Sequence, residues 1–225
     1  MKILIAILTC EKYLWRRRLL EKTWVAAVPA GVDVKFFTGQ DVGVPDEYRQ
    51  LPNKVRAVFA RAVAEGYDRI LKVDDDILVL PERLLATMTK HDYVGRIRPA
   101  SREFGGPELY GDQEKPYASG FAYWVSRYAA DVVARTPDNG DWAEDRFAGQ
   151  ALWQAGVQPT LDNRFLIWPP INGHVCTYPN EKCPPCRQEF AQASVLCPHQ
   201  REDAIEPLWN YYRTTGFIPT HLPKL

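Results

Sequence analysis

The sequence predicts a single α/β domain built in layers. Its first half alternates short apolar runs with segments of helical period, the pattern of strands covered by helices. Its 225 residues suit one domain with a sizeable core, and 46% hydrophobic against 25% charged residues marks a globular chain rather than a disordered one.

The elements follow in order. Residues 3–8 are all apolar and read as a buried strand. A leader peptide is the rival, but the run is short, lacks a small-x-small cleavage pattern and meets Glu11 and Lys12 at once. A helix is expected over 13–25, with Leu14, Leu19 and Trp24 in the core. A second strand over 32–37 ends at Thr38-Gly39. In a helix over 52–64, Val55, Phe59 and Val63 share one face, and Gly66 suits its C-terminal cap. A third strand over 69–73 runs into Asp74-Asp75-Asp76. Pro81 opens another helix. A short strand at 93–94 precedes a Gly- and Pro-rich stretch, 96–116, read as a long loop near the site. Strand character returns at 122–125. Helices follow over 127–135 and 141–155, the latter with Asp141 as N-cap. The region 159–198 is irregular, and a last helix covers 205–212.

Lys plus Arg is 28 and Asp plus Glu is 28. With no net charge there is no global field for nucleic acid or an anionic membrane. No stretch approaches the ~18 apolar residues that span a bilayer. With no leader or anchor in view the expected compartment is the cytoplasm. A chain shortened by a natural N-terminal anchor would read the same and point to the Golgi lumen.

Four motifs carry chemistry. Ligands in open α/β sheets sit beyond the carboxyl ends of strands. Asp74-Asp75-Asp76 falls there, and three carboxylates repel unless a cation neutralises them. Oxygen donors suit Mg²⁺ or Mn²⁺ with substrate phosphate completing the shell. A solvated acidic turn is the alternative. Glu144-Asp145 opens a helix, where the dipole favours acidic residues in any case. Beside a bound sugar, such a carboxylate would instead take a proton from an attacking hydroxyl. Of Arg16-Arg17-Arg18, at least one could approach a diphosphate. Otherwise they form a solvated face paired with Glu11 and Glu21. In 117–124, Gly120 would let the backbone approach a ligand, and the aromatics could stack on sugars. A plain strand entered through a glycine turn is the other reading.

Together these motifs resemble the β-1,3-glycosyltransferase family, which includes β-1,3-galactosyltransferases, β-1,3-N-acetylglucosaminyltransferases and Fringe proteins. Arg17-Arg18 through Thr23-Trp24 is similar to the family's R-R-x-x-I-R-x-T-W. The second strand resembles its F-x-x-G motif, and Lys72 to Asp76 its K-x-D-D-D. Residues 117–126 resemble Y-x-x-G-x-x-Y-x-x-S. Glu144-Asp145 with Gly149 resembles E-D-V-x-x-G, with Arg146 where the family has an apolar residue. Pro198-His199-Gln200 through Leu208-Trp209 resembles the closing motif, with Ile205 and Pro207 departing from it.

The resemblance implies a GT-A nucleotide-sugar-binding fold, with 1–90 mainly nucleotide-binding and 91–225 mainly acceptor-binding and catalytic. It implies a UDP-sugar donor, a glycan or glycoconjugate acceptor, Mn²⁺ or Mg²⁺, and inversion through Asp145 as general base. Asp74 and Asp76 would hold the metal with His199, or with His174 if the alignment slips. Thr9, Arg17, Lys72, Asp74, Asp75 and Gly120 would contact the donor. A GT-A transferase using another nucleotide sugar, a non-catalytic binding module and a Cys-rich zinc adaptor are the competing readings.

Four cysteines, Cys176, Cys183, Cys186 and Cys197, crowd into the 174–199 segment. A structural Zn²⁺ site, disulfides and unpaired thiols all fit this spacing.

Overall fold

The computed structural model describes residues 1–86, 88, 90–98, 115–167, 193–198 and 202–218. Strand β1 (Ile3–Leu8) lies inside a mixed sheet. Ile3, Ile5 and Ile7 enter one core and Leu4, Ala6 and Leu8 the other. Burial on both faces is why the run shows no polar alternation. Parallel strands β2 (Val32–Phe37) and β3 (Arg69–Asp74) flank it. β3 pairs antiparallel with β6 (Tyr117–Ser126), and β6 with β5 (Tyr93–Arg98). The short β7 (Thr160–Leu161) closes the order β2-β1-β3-β6-β5-β7. A smaller sheet joins β4 (Leu78–Val79), β9 (Val195–Cys197) and β8 (Phe165–Ile167) in the order β4-β9-β8.

Helices cover both faces of the main sheet. On one side α3 (Leu51–Ala64), α5 (Arg127–Arg135) and α6 (Glu144–Gln154) insert Val55, Phe59, Val133, Phe147 and Leu152. On the other, α1 (Leu14–Lys22) and the turn after it supply Leu20 and Trp24. They meet Leu208 and Trp209 of α7 (Ile205–Thr215) and the small sheet. The Trp24 indole N–H is satisfied by the Ile77 carbonyl at 2.9 Å. Two short helices, α2 (Gly39–Val42) and α4 (Pro81–Ala86), complete the set. α3 stops as its sequence predicts. Gly66 takes a φ of 81°, and the N–H groups of Gly66 and Tyr67 return to the carbonyls of Val63 and Ala62.

The expected α/β class, a mixed sheet between helices, is thus the observed one. Several local expectations need correction. Leu14 is exposed, because a 3₁₀ turn over Glu11–Tyr13 precedes α1 and leaves Leu14 outside the buried stripe. Asp141 is not the N-cap of α6, which begins at Glu144 with no side-chain cap. Its carboxylate is taken instead by Arg146, at 2.5 and 2.6 Å. β5 and β6 run longer than the sequence suggested. The region after 159 contains β7, β8 and β9.

Candidate active site

The carboxyl end of β3 delivers three aspartates to one cavity of about 590 Å³. Thr9 and Cys10 from the end of β1, the 3₁₀ turn before α1, Tyr48 and Lys54 also line it. The volume is ordinary for a small-molecule site. The three aspartates divide between two cationic partners, Arg16 and Lys72. Asp75 is buried, accepting from the Thr9 hydroxyl at 2.7 Å and from Arg16 Nη1 at 2.8 Å. Asp76 faces the same guanidinium at 3.6 Å, with its side chain 35% exposed. Burial raises its pKa, and Arg16 opposes that rise. Asp74 accepts from Lys72 Nζ at 2.6 Å. Loss of hydration pushes its carboxyl up to about 7, with Lys72 opposing. Its side chain keeps 41% of its surface open to the cavity, so water moderates that shift.

Lys72 links this triad to the Glu144-Asp145 pair. Its side chain is 1% exposed. The ammonium also donates to Glu144 Oε1 at 2.5 Å and to the Gly120 carbonyl. Burial disfavours its charge, but Asp74 and Glu144 outweigh this and hold its pKa above the ordinary lysine value. Glu144 is pushed up to about 7 by burial, again opposed by Lys72. Its second oxygen accepts from the Tyr123 hydroxyl at 2.8 Å. The Gly120 N–H donates to Asp145 Oδ2 at 2.9 Å. A Cβ on Gly120 would lie 2.8 Å from Glu144 Oε1 and 3.1 Å from Asp145 Oδ2, so glycine is required for this approach. Gly149, one helical turn after Asp145, likewise lets α6 approach β6, since a Cβ there would meet Tyr117 Cβ at 2.4 Å.

The fold therefore brings Thr9, Lys72, Asp74, Asp75, Asp76, Gly120 and Asp145 into one neighbourhood. Arg17 is not brought there. It pairs with Glu21 at 2.9 Å, stacks over Phe36 at 4.8 Å and lines a separate cavity beside β2. Arg16 reaches the aspartates instead. It stacks on Tyr13 at 4.1 Å and also binds Glu202. The sequence held a signal for this: Arg16, Leu20 and Trp24 recur every four residues, extending the buried stripe by one turn. The sequence reading also passed over Tyr48. Desolvation and then the negative charges of Asp145, Asp74 and Glu144 raise the pKa of its hydroxyl.

His199, His174, Cys176, Cys183 and Cys186 lie outside the described residues. Cys197 is half-buried in β9. Among the described residues no three His, Cys, Asp or Glu side chains converge as a metal cage. Asp74 and Asp76 supply carboxylate oxygens alone. This donor set fits a hard cation that keeps waters and shares substrate phosphates.

The architecture, a mixed sheet between helices, is shared with a known glycosyltransferase. The chain superposes on a crystal structure of a glycosyltransferase involved in the glycosylation of the major capsid of PBCV-1. The TM-score is 0.54 at 12% identity, covering 92% of this chain and 99% of that one. At that identity the likeness establishes the fold. No protein-family model matches the chain, and no curated protein matches it in sequence. Among the described residues no helix is long and apolar enough to cross a membrane.

Proposed function

We propose that this protein is an inverting, metal-dependent glycosyltransferase. It would move a hexose or N-acetylhexosamine from a UDP-sugar to a glycan hydroxyl, with β-1,3 linkage the expectation from the motif resemblance. The observation that carries the proposal is the Lys72 ammonium, shared by Asp74 at the cavity and Glu144 beside Asp145. One buried cation thus joins a diphosphate-type carboxylate cluster to a candidate base.

In this reading Thr9 and Asp74 face the nucleoside, and Asp74 and Asp76 hold Mn²⁺ or Mg²⁺. The bound cation would offset charge on the departing diphosphate. Asp145 is half-buried, and its Oδ1 and Oδ2 accept from the N–H groups of Arg146 and Gly120. Those bonds fix the direction in which the carboxylate points. As the acceptor oxygen bonds to the anomeric carbon, the bond from that carbon to the diphosphate oxygen breaks. The hydroxyl proton passes to Asp145, and UDP leaves with the bonding pair. One displacement inverts the centre without a covalent intermediate.

The test is thermal unfolding with UDP, with and without Mn²⁺, on wild type and Asp76→Asn. Ligand at ~100 times its dissociation constant adds about 2.7 kcal/mol, a rise of roughly 5–10 °C for a chain of this size. The expected rise needs both UDP and Mn²⁺ and is absent in Asp76→Asn. A rise only with another nucleotide would move the donor assignment, and none with any nucleotide would remove the transferase reading.

A further inference from the structure

Two large exposed aromatic rings touch each other, and one of them, Tyr48, lines the cavity. Tyr48 is 67% exposed and Trp142 is 44% exposed. Their centroids lie 5.6 Å apart at 37°. They come from segments far apart in sequence. Tyr48 sits in the 3₁₀ turn that lines the cavity, and Trp142 three residues before Asp145.

Both supports are braced. Asn53 Nδ2 donates to Gln50 Oε1 at 3.0 Å and to Asp138 Oδ2 at 2.7 Å, tying the Tyr48 turn to the loop that carries Trp142. Within that loop the N–H groups of Gly140, Asp141 and Ala143 are each capped by a side-chain oxygen two residues earlier. Arg146 grips Asp141 with two hydrogen bonds, and its guanidinium lies 6.0 Å from the Trp142 ring centre. Rings left in water are a cost unless something covers them. Rings held by a scaffold are preorganised, with little entropy left to lose on binding.

We propose that Tyr48 and Trp142 form a stacking platform for a pyranose ring of the acceptor glycan. This rests on the transferase reading above. A pyranose offers an apolar C–H face to aromatic rings and a rim of hydroxyls to polar groups, and Asp145 follows Trp142 by three residues and bears on the Tyr48 hydroxyl through its charge. The platform thus orients the acceptor with one hydroxyl toward Asp145. It also gives Arg146, a departure from the family motif, a positioning role as the brace of the Trp142 loop.

The test uses the full chain with UDP and Mn²⁺ present. The probes are the methyl β-glycosides of galactose, glucose and N-acetylglucosamine, followed by saturation-transfer NMR. At least one probe should receive saturation on its C–H face from aromatic protons. Trp142→Ala and Tyr48→Ala should each weaken that binding by roughly tenfold, whereas Trp142→Phe and Tyr48→Phe retain it. Stabilisation by UDP with Mn²⁺ should be unchanged in Trp142→Ala and Trp142→Phe. Equal binding in wild type and Trp142→Ala, or no saturation of any probe in wild type, would overturn the platform. So would loss of UDP binding in Tyr48→Ala, which would assign that ring to the nucleobase. If wild type shows no response to UDP yet binds sugar through these rings, the donor assignment fails and the platform stands.

Discussion

Lys72 Nζ and Glu144 Oε1 are 2.5 Å apart, with side chains only 1% and 7% exposed. Neither group can recover water without unfolding the junction of β3, β6 and α6. Removing Lys72 therefore strands the Glu144 charge. Lys72→Met should destabilise the protein by about 3–5 kcal/mol in urea titrations. The double variant Lys72→Met/Glu144→Gln should regain part of that loss. Additive costs would show that the two groups do not interact in the folded state.

The same pair sets a pH dependence. Burial raises the folded-state pKa of Glu144 from 4.5 to about 7, so its share of stability is complete below pH 4.5 and is lost as pH rises through 7. That share is at most about 3 kcal/mol. Asp74, raised from 3.8 to about 7, acts in the same direction more weakly because water reaches it. Asp41 and Glu65 act oppositely. Hydrogen bonds from the Thr38 backbone and from Lys35 lower their pKa values, so their contributions are lost on acidification. Stability measured from pH 4.5 to 7 should fall less steeply in Glu144→Gln than in wild type. Parallel curves would exclude Glu144 as the titrating group.

The sheet was legible wherever local pattern and burial agree. β2 and α5 begin and end where the residue periods place them, and the all-apolar run of β1, read as a strand in preference to a leader peptide, is a strand covered on both sides. The site was legible by class of residue and less so by position. Three consecutive arginines point about 100° apart around a helix, and only the packing of Leu20 and Trp24 selects Arg16. Glu144 looked like an ordinary acidic first turn. Its burial against Lys72 depends on the pairing of β3 with β6, which lies far outside any local window. Asp141 had the right chemistry for a helix cap, but Arg146 competes for its carboxylate.

Gly120 provides a test that separates binding from chemistry. Its carbonyl accepts from Lys72 and its N–H holds Asp145. In Gly120→Ala the new methyl would press on Glu144 and Asp145, displacing the candidate base by a fraction of an ångström or more. Small misplacements of a reacting group cost about 10²-fold in rate. Turnover should fall by about that factor while stabilisation by UDP with Mn²⁺ persists. Asp145→Asn should give a loss of about 10²–10⁴-fold with UDP binding equally intact. Normal turnover in Asp145→Asn would place the base elsewhere.

Arg16 makes a prediction of opposite sign. Its guanidinium already offsets the negative charge of Asp75 and lies 3.6 Å from Asp76. A cation entering the triad must share that field. Replacing Arg16 by Met removes a positive neighbour, so Mn²⁺ alone should bind severalfold more tightly, a gain of order 1 kcal/mol once solvent screening at Asp76 is allowed for. Asp76→Asn should weaken the same binding. Titration of both variants with Mn²⁺, followed by the electron paramagnetic resonance of free metal, reads the two signs directly. Arg16→Met should also lose stability, by about 2 kcal/mol, because Asp75 is buried and, among the described residues, keeps only the Thr9 hydroxyl as a side-chain donor. Tighter metal binding in a less stable protein is the combination expected if Arg16 stands in for the cation. Weaker Mn²⁺ binding in Arg16→Met would mean that the guanidinium orders the carboxylates for metal rather than competing with it.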